Sequence, residues 1–406
     1  MNSHDKTILR DLARQYLEIT AQPIQEERRA LWREHNSLKR TRPLIYARAF
    51  AWKEMPHAKC LCEDPFARQY EDFLRRHLFW STLDDDSIFE PWITVQATRV
   101  CNGWGIAGQR RISDEPGGSF KVDYPLKTFP DIEKMRIPWH QIDEAKTSEN
   151  LMRLSDSIGD IITIHVDRGT AYRMWTGDIS TDLGYLRGIE HFMMDMLDNP
   201  AWLHRLVKFM SDGILKTHEE AEAAGDWGLC AHQNQAMPYA EELEDPAANV
   251  DRVQRGQIWG YMAAQEMTAV SPCMHDEFML QYQLPILRHF GLTAYGCCED
   301  LTNKIDMLRQ IPNLRRIAVS PCANVARCAE QMGQDYVLSY RPSPADMVSY
   351  GFDPVRIRSI LKSDLKACRE CHVDITLKDV ETVQRDADRV RKWVALTREV
   401  IEEVFG

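Results

Sequence analysis

The sequence predicts an α/β protein built as a (β/α)8 barrel, with an N-terminal helical extension over residues 1–40 and the barrel over 41–406. Three observations carry this. From Asp160 onward, short apolar runs alternate with segments of helical periodicity, the pattern of βαβ units in a parallel sheet. About eight such units fit a closed barrel better than an open doubly wound sheet. No low-complexity linker divides the 406 residues, so one domain accounts for the chain.

The elements follow in chain order. Leu9, Leu12, Ala13, Tyr16 and Leu17 share one face of a first helix, and a second runs from Gln25 to Asn36, both placed to cover one end of the barrel. RPLIYARAF (42–50) opens at Arg42-Pro43 as a short strand, and PWITVQATRV (91–100) is a second, rich in β-branched residues. A loop-rich stretch follows, including PGG at 116–118. DIITIHVDRG (160–169) is a buried strand, and two helices separated by Asn199-Pro200 fill 182–224. WGLCAHQ (227–233), GQIWGY (256–261), GLTAYGCC (291–298), RRIAVSP (315–321), QDYVLSY (334–340) and CHVDITLKD (371–379) are the remaining strands, and a last helix spans 380–404.

Composition narrows the function. With 44% hydrophobic and 27% charged residues the chain has an ordinary globular make-up. A net charge of −11 with scattered basic residues argues against nucleic acid, which needs a basic stripe. No run approaches the roughly 18 apolar residues of a membrane span, and the charged start MNSHDKTILRDLARQY is unlike an export signal, so a cytoplasmic location is expected. Eleven cysteines, an odd number, fit reduced thiols better than a disulfide framework. No G-x-G-x-x-G or Walker sequence supports a nucleotide cofactor.

In a barrel of this type the chemistry sits at the C-terminal ends of the strands. The polar residues there are Arg48, Gln96, Arg99, His165, Asp167, His232, Gln233, Asn234, Gln265, Glu266, Tyr295 to Glu299, Ser320, Cys322, Arg341, Lys378 and Asp379. The strongest local signal is Tyr295-Gly296-Cys297-Cys298-Glu299, two adjacent thiols and a carboxylate directly after an apolar strand. Alternation along a strand lets only one of the two thiols face the barrel mouth unless the chain has already turned. Zinc prefers thiolate, imidazole and carboxylate, and a catalytic zinc takes three protein ligands. Cys298 or Cys297, Cys322, and His232 or Glu266 would supply them; buried, chemically inert thiols are the plainer alternative. His165, Asp167 and Glu266 are the candidate proton-transfer groups. Trp104, Trp175, Trp259 and Tyr261 fall near loop tops, where they could wall an apolar ligand. Cys368-x-x-Cys371-His372 spells a haem-attachment pattern, but it lies at a helix end entering the last strand and reads as core.

The segments WGYMAAQE (259–266), SPCMHDEF (271–278), HFGLTAYGCCEDL (289–301), IPNLRRIAVSPCANVARCAEQMGQDYVLSYRPSPADM (311–347) and DITLKDVETV (374–383) together resemble the uroporphyrinogen decarboxylase superfamily, on its zinc- and corrinoid-dependent methyltransferase branch. The resemblance implies a (β/α)8 barrel and methyl transfer between a small methylated substrate, or a thiol acceptor, and a corrinoid (cobalamin) carried by a separate protein. It implies one zinc, held here by Cys297 or Cys298, Cys322 and Glu266 or His232. Tyr295 or Gly296 stands where the branch has a histidine. Glu266, His165, Asp167 and Tyr295 are the expected catalytic residues, and Trp259, Tyr261, Gln265 and Asn234 the expected corrinoid contacts. A homodimer is one expected assembly. RPLIYARAF lacks the arginine element with which the decarboxylase holds propionates, so porphyrin decarboxylation is not carried over. Two rivals stand beside methyl transfer: a metal-free lyase in which Arg48, Arg99 and Arg341 clamp carboxylates while Asp167 or His165 moves the proton, and a non-catalytic binder of a corrinoid or tetrapyrrole.

Overall fold

The computed structural model describes residues 1–48, 51–101, 103–112 and 120–406; the PGG turn and the last two residues of RPLIYARAF lie outside them. The described chain is mixed α/β around parallel strands. Six of them, β1 (Leu44–Ala47), β6 (Trp259–Met262), β7 (Leu292–Tyr295), β8 (Leu314–Val319), β9 (Val337–Tyr340) and β10 (His372–Leu377), form one sheet in the order β1-β10-β9-β8-β7-β6. Two more, β2 (Trp92–Gln96) and β5 (Thr163–Asp167), pair in parallel with each other. An antiparallel hairpin, β3 (Gln109–Ile112) and β4 (Phe120–Asp123), projects from the loop-rich stretch.

Among the described residues eight strands pair in parallel, six in one sheet and two in another, so a closed ring of ladders is not shown. The reason is visible at the rims. On the outer edge of β1, Asp86 N–H donates to the Ile45 carbonyl at 2.8 Å while the Asp86 and Asp85 carboxylates accept Ile45 N–H and Ala47 N–H at 2.7 and 2.9 Å. At β6, His232 Nδ1 accepts Trp259 N–H at 3.2 Å and Gln233 N–H donates to the Trp259 carbonyl at 3.1 Å. On β5, the Asn249 carboxamide donates to the Ile164 carbonyl at 3.0 Å and accepts Val166 N–H at 3.4 Å. Side chains and single residues thus satisfy backbone groups that a neighbouring strand would otherwise take. The 227–233 run is accordingly no ladder strand. Leu229–Ala231 is a 3-10 turn, and Gly228 bridges Asp251 instead.

Helices clothe the strands: α1 (Ser3–Thr20), α2 (Ile24–Asn36), α3 (Pro65–Trp80), α4 (Glu144–Ile158), α5 (Ser180–Leu186), α6 (Ile189–Asp198), α7 (Pro200–Ala224), α8 (Pro272–His275), α9 (Gln281–Leu287), α10 (Ile305–Leu308), α11 (Val325–Met332), α12 (Pro354–Ala367) and α13 (Asp388–Phe405). The helix α1 is capped by the Asn2 side chain, which accepts Asp5 N–H at 2.7 Å, and α12 by Asp353. No helix among the described residues is long and apolar enough to cross a membrane.

Among the described residues two apolar clusters are the largest. The larger gathers Leu203, Leu206, Val207 and Met210 of α7, Ile286 and Leu287 of α9, Leu361 and Leu365 of α12, and Trp393 and Val394 of α13 onto the six-stranded sheet. The smaller packs Leu9, Leu12 and Tyr16 of α1, Tyr70 and Leu74 of α3 and Leu154 and Ile158 of α4 around Ile93 and Val95 of β2. Between β8, β9 and β10 lies a buried polar layer. Arg316 Nη2 donates to Asp374 Oδ1 at 2.6 Å, Arg316 Nη1 stands 2.6 Å from Asp374 Oδ2, and Ser339 and Thr376 hydroxyls donate to the same carboxylate. Through His35, 3.4 Å from Asp374, helix α2 is tied to this layer.

Candidate active site

The C-terminal end of β7 is where the adjacent cysteines enter. Gly296 sits at φ +92°, in the region that favours glycine, and a Cβ there would stand 2.6 Å from Leu301 Cδ1. This turn removes the strict alternation of the strand. Both sulfurs therefore converge, Sγ to Sγ 3.5 Å, instead of facing opposite ways. Glu299 holds the turn in place: its carboxylate accepts Cys297 N–H at 2.7 Å and Ala264 N–H, just past β6, at 2.8 Å. Its role is to fix backbone, so the carboxylate of the GCCE element is not free to act on a substrate.

Lys378, at the end of β10, completes the group. Its Nζ donates to Cys297 Sγ and to Cys298 Sγ, each at 3.1 Å, and is ion-paired with Asp379, whose Oδ2 is 3.8 Å from Cys298 Sγ. Arg341, beyond β9, donates from Nη1 to the Cys297 carbonyl at 2.8 Å and from Nη2 to Gln235 Oε1 at 2.6 Å. The Cys298 thiol donating to Cys297, with the Arg341 and Lys378 cations beside it, outweighs burial and pulls the Cys297 thiol below the usual thiol range. Cys298 is pushed the other way, because it shares its proton with an already anionic neighbour. Burial and Arg341 press against the charge of Lys378, but the Cys297 sulfur and Asp379 hold it protonated, above its ordinary range. The arrangement is a thiolate–ammonium pair with Cys297 buried and Cys298 exposed.

The other expected ligands lie elsewhere. Cys322 is exposed in the turn after β8. The Glu266 carboxylate accepts the Ser180 hydroxyl at 2.5 Å, and His232 spends Nδ1 on the β6 rim. Among the described residues no three of His, Cys, Asp and Glu stand where they could hold a metal ion together. Between the two thiols, moreover, sits the Lys378 ammonium, so the residues as placed do not fit a zinc and no step is derived through one.

The remaining expectations separate cleanly. Tyr295 is buried, its hydroxyl donating to Gln283 Oε1 at 2.8 Å and accepting from His275 Nε2 at 2.9 Å. Trp259 donates from its indole to the Pro238 carbonyl at 2.7 Å, and Tyr261 reaches the Gly296 carbonyl at 3.4 Å. The Asn234 carboxamide accepts Ala236 N–H and donates to the Met237 carbonyl. These four are committed inside the protein, which leaves Gln265 alone of the expected corrinoid contacts on a cavity wall. His165 accepts Asn249 N–H at Nδ1, and burial lowers its pKa. Asp167 is bound to Arg173 Nη2 at 2.6 Å.

A cavity of about 530 Å³ opens between Tyr124 of the hairpin side, Trp175, Tyr185, Gln265 and Glu266. Just before the lining residue Thr181 the chain is strained and polar. Ile179, fully buried, takes φ +70°, costly for a β-branched residue. Asp178 beside it is raised well above the usual carboxylate range by burial, with the Glu266 charge adding to the rise. Trp175 lines this cavity and packs against the apolar cluster that contains Cys297, its ring meeting Tyr261 edge-on at 5.1 Å. Lys378, Arg341, Trp175 and Asp178 are the residues whose importance emerges here. The first two were legible as strand-end polar groups; the pairing of Lys378 with thiols 80 residues away was not.

No family model and no curated protein matches the chain. Among solved structures, a methyltransferase from Methanosarcina mazei is similar in fold, with a TM-score of 0.51 and 11% identity over 91% of this chain and 97% of that one. At that identity the likeness speaks to the scaffold, which this chain shares with a methyltransferase.

Proposed function

We propose that this chain is a methyltransferase acting on a small methylated compound, with the Cys297 thiolate as the group that receives the methyl. The observation that carries the reading is the Lys378 ammonium seated 3.1 Å from both sulfurs at the mouth of β7, on a scaffold similar to that of a methyltransferase. A thiolate, not a thiol, is the nucleophile, and a neighbouring cation keeps it ionised at neutral pH. In the transfer the Cys297 sulfur forms a bond to the methyl carbon as the bond from that carbon to the donor's oxygen, nitrogen or sulfur breaks, its electron pair leaving on the donor atom. The thioether formed is neutral, so Lys378 falls back on Asp379. The cavity lined by Trp175, Gln265 and Glu266 is the place for the donor's body. The second methyl carrier is a corrinoid on a separate protein.

The test is mass spectrometry of the Cys297 peptide after incubation with methoxylated aromatics, methylated amines and methylated thiols. A methyl mark on Cys297 is the expected result; turnover of a donor without any mark would overturn the assignment. Lys378→Met supplies the pH control. At pH 7 an ordinary thiol is only a few per cent ionised, so methylation, or alkylation by iodoacetamide, should slow on the order of 10- to 30-fold. The variant's rate profile should shift to higher pH, because a thiol with a raised pKa reaches its anion later.

A further inference from the structure

We infer that the small cavity bounded by Arg99, Arg173, His232 and Gln233 is a carboxylate-binding site. It is an open pocket of about 240 Å³, room for a small carboxylic acid. Buried polar groups without partners face it. Gln233 is 5% exposed, and its carboxamide oxygen accepts Met174 N–H at 2.9 Å, which fixes the amide's orientation and makes the free end the NH₂ donor; that Nε2 has no partner. His232 Nδ1 accepts Trp259 N–H at 3.2 Å, so the neutral ring carries its proton on Nε2, which is buried and turned toward the Glu244 backbone. Burial lowers the His232 pKa to about 4, in keeping with a neutral ring. Arg99 spends Nε on the Gly169 carbonyl at 2.6 Å, while its Nη2 is buried, 3.9 Å from Asp167 Oδ1, and makes no hydrogen bond.

Both side-chain groups left for a ligand here, Gln233 Nε2 and Arg99 Nη2, are donors. Buried donors without acceptors are costly, and a ligand that only accepts satisfies both. Arg99 and Arg173 bring two positive charges, with Asp167 against both at 3.9 and 2.6 Å and Asp226, already held by Arg168, also facing Arg99. A carboxylate offers its two oxygens to the Arg99 guanidinium and the Gln233 amide.

The site adjoins the thiols. Met174 lines it, and Met174 and Trp175 both pack against the apolar cluster that contains Cys297. Two residues after Gln233, Gln235 accepts from Arg341, which in turn holds the Cys297 carbonyl. As the anchor of a carboxylate-bearing methyl donor or acceptor, the site rests on the methyltransferase reading; as an anion site it stands without it.

Acetate, titrated calorimetrically into the full chain with inorganic phosphate as the comparison, tests the site without turnover. Saturable acetate binding is expected in the wild type, weakened on the order of 10- to 100-fold in Arg99→Met and several-fold in Gln233→Leu. The second variant keeps the test valid should the first fail to fold. Acetate that does not bind, binds both variants as it does the wild type, or is outcompeted by phosphate at equal concentration would overturn the carboxylate assignment. Acetate binding with no methyl mark on Cys297 would leave this site standing and remove the thiolate mechanism instead.

Discussion

Cys297→Ser should lower methyl transfer on the order of 10³-fold or more while leaving thermal stability close to that of the wild type, whereas Cys298→Ser should cost far less. The nucleophile is the one atom whose loss no neighbour replaces, and single removals of such groups carry effects of this size. A serine hydroxyl keeps the shape but stays protonated at neutral pH even beside Lys378. Cys298 differs because its neighbour Cys297 pushes its pKa up, and its exposed sulfur sits among Cys297, Lys378 and Asp379. Measuring kcat/KM for both variants decides between the two sulfurs. Equal losses would mean that the dithiol acts as a unit, and a loss confined to Cys298→Ser would exchange the roles.

Arg316→Met should destabilise the fold by about 3–5 kcal/mol, the range for removing one partner of a buried ion pair. The carboxylate of Asp374 is fully buried among β8, β9 and β10, and its charge is tolerated there because Arg316 meets it with two nitrogens. Burial alone would raise the Asp374 pKa, but Arg316, and after it His35, bring it below the ordinary value. The sign of the pH dependence follows. In the wild type this stabilisation is present above the unfolded carboxylate pKa, near 4, and disappears as pH falls through the lower folded value. In the variant Asp374 is left unpaired, so its folded pKa lies above the unfolded one and protonation relieves the strain. The stability difference between the two proteins is therefore largest near neutral pH and narrows in acid. Urea unfolding at pH 7 and pH 4 checks this, and adding Asp374→Asn to Arg316→Met should recover most of the neutral-pH loss.

Much of this architecture is written in the amino-acid order. Short β-branched runs such as ITVQ, TIHVD and DITL form the strands they announce, and the two N-terminal helices and the Asn199-Pro200 break appear where periodicity puts them, whereas the last helix begins at Asp388 instead of 380 and a further break at Arg187 and Gly188 makes three helices of the expected two. WGLCAHQ misleads because a short apolar run reads alike whether it enters a ladder or merely lies against one. Its Cys230 thiol and Gly228 backbone instead face the 247–251 segment. Whether eight strands close depends on what occupies the rims, and nothing in a pattern of period two says that Asp85, Asp86 and Asn249 will do so. The site shows the same division. Two thiols after a strand advertise chemistry by residue type alone, but Cys322, Glu266 and His232 are neighbours of them only in strand-end lists. Their side chains are directed by local turns into an exposed loop, toward Ser180 and onto the β6 rim. Trp259, Tyr261 and Tyr295 carry chemical groups yet belong to strands buried on both faces, where every hydroxyl and indole is claimed by a neighbour.

The second apolar core gives the molecule an uneven resistance to opening. The β2–β5 pair shares its packing with α1, α3 and α4, and its strand edge is satisfied by the single carboxamide of Asn249, while the six-stranded sheet is held by five successive ladders and the larger core. Amides in the two regions should exchange with deuterium as two cooperative units, those of β2 and β5 at lower free energy. Because Arg99 and Asp167 belong to the less protected unit and His232 and Gln233 line the rim of the other, an anion bound between them would be paid for in slower exchange on the β2–β5 side.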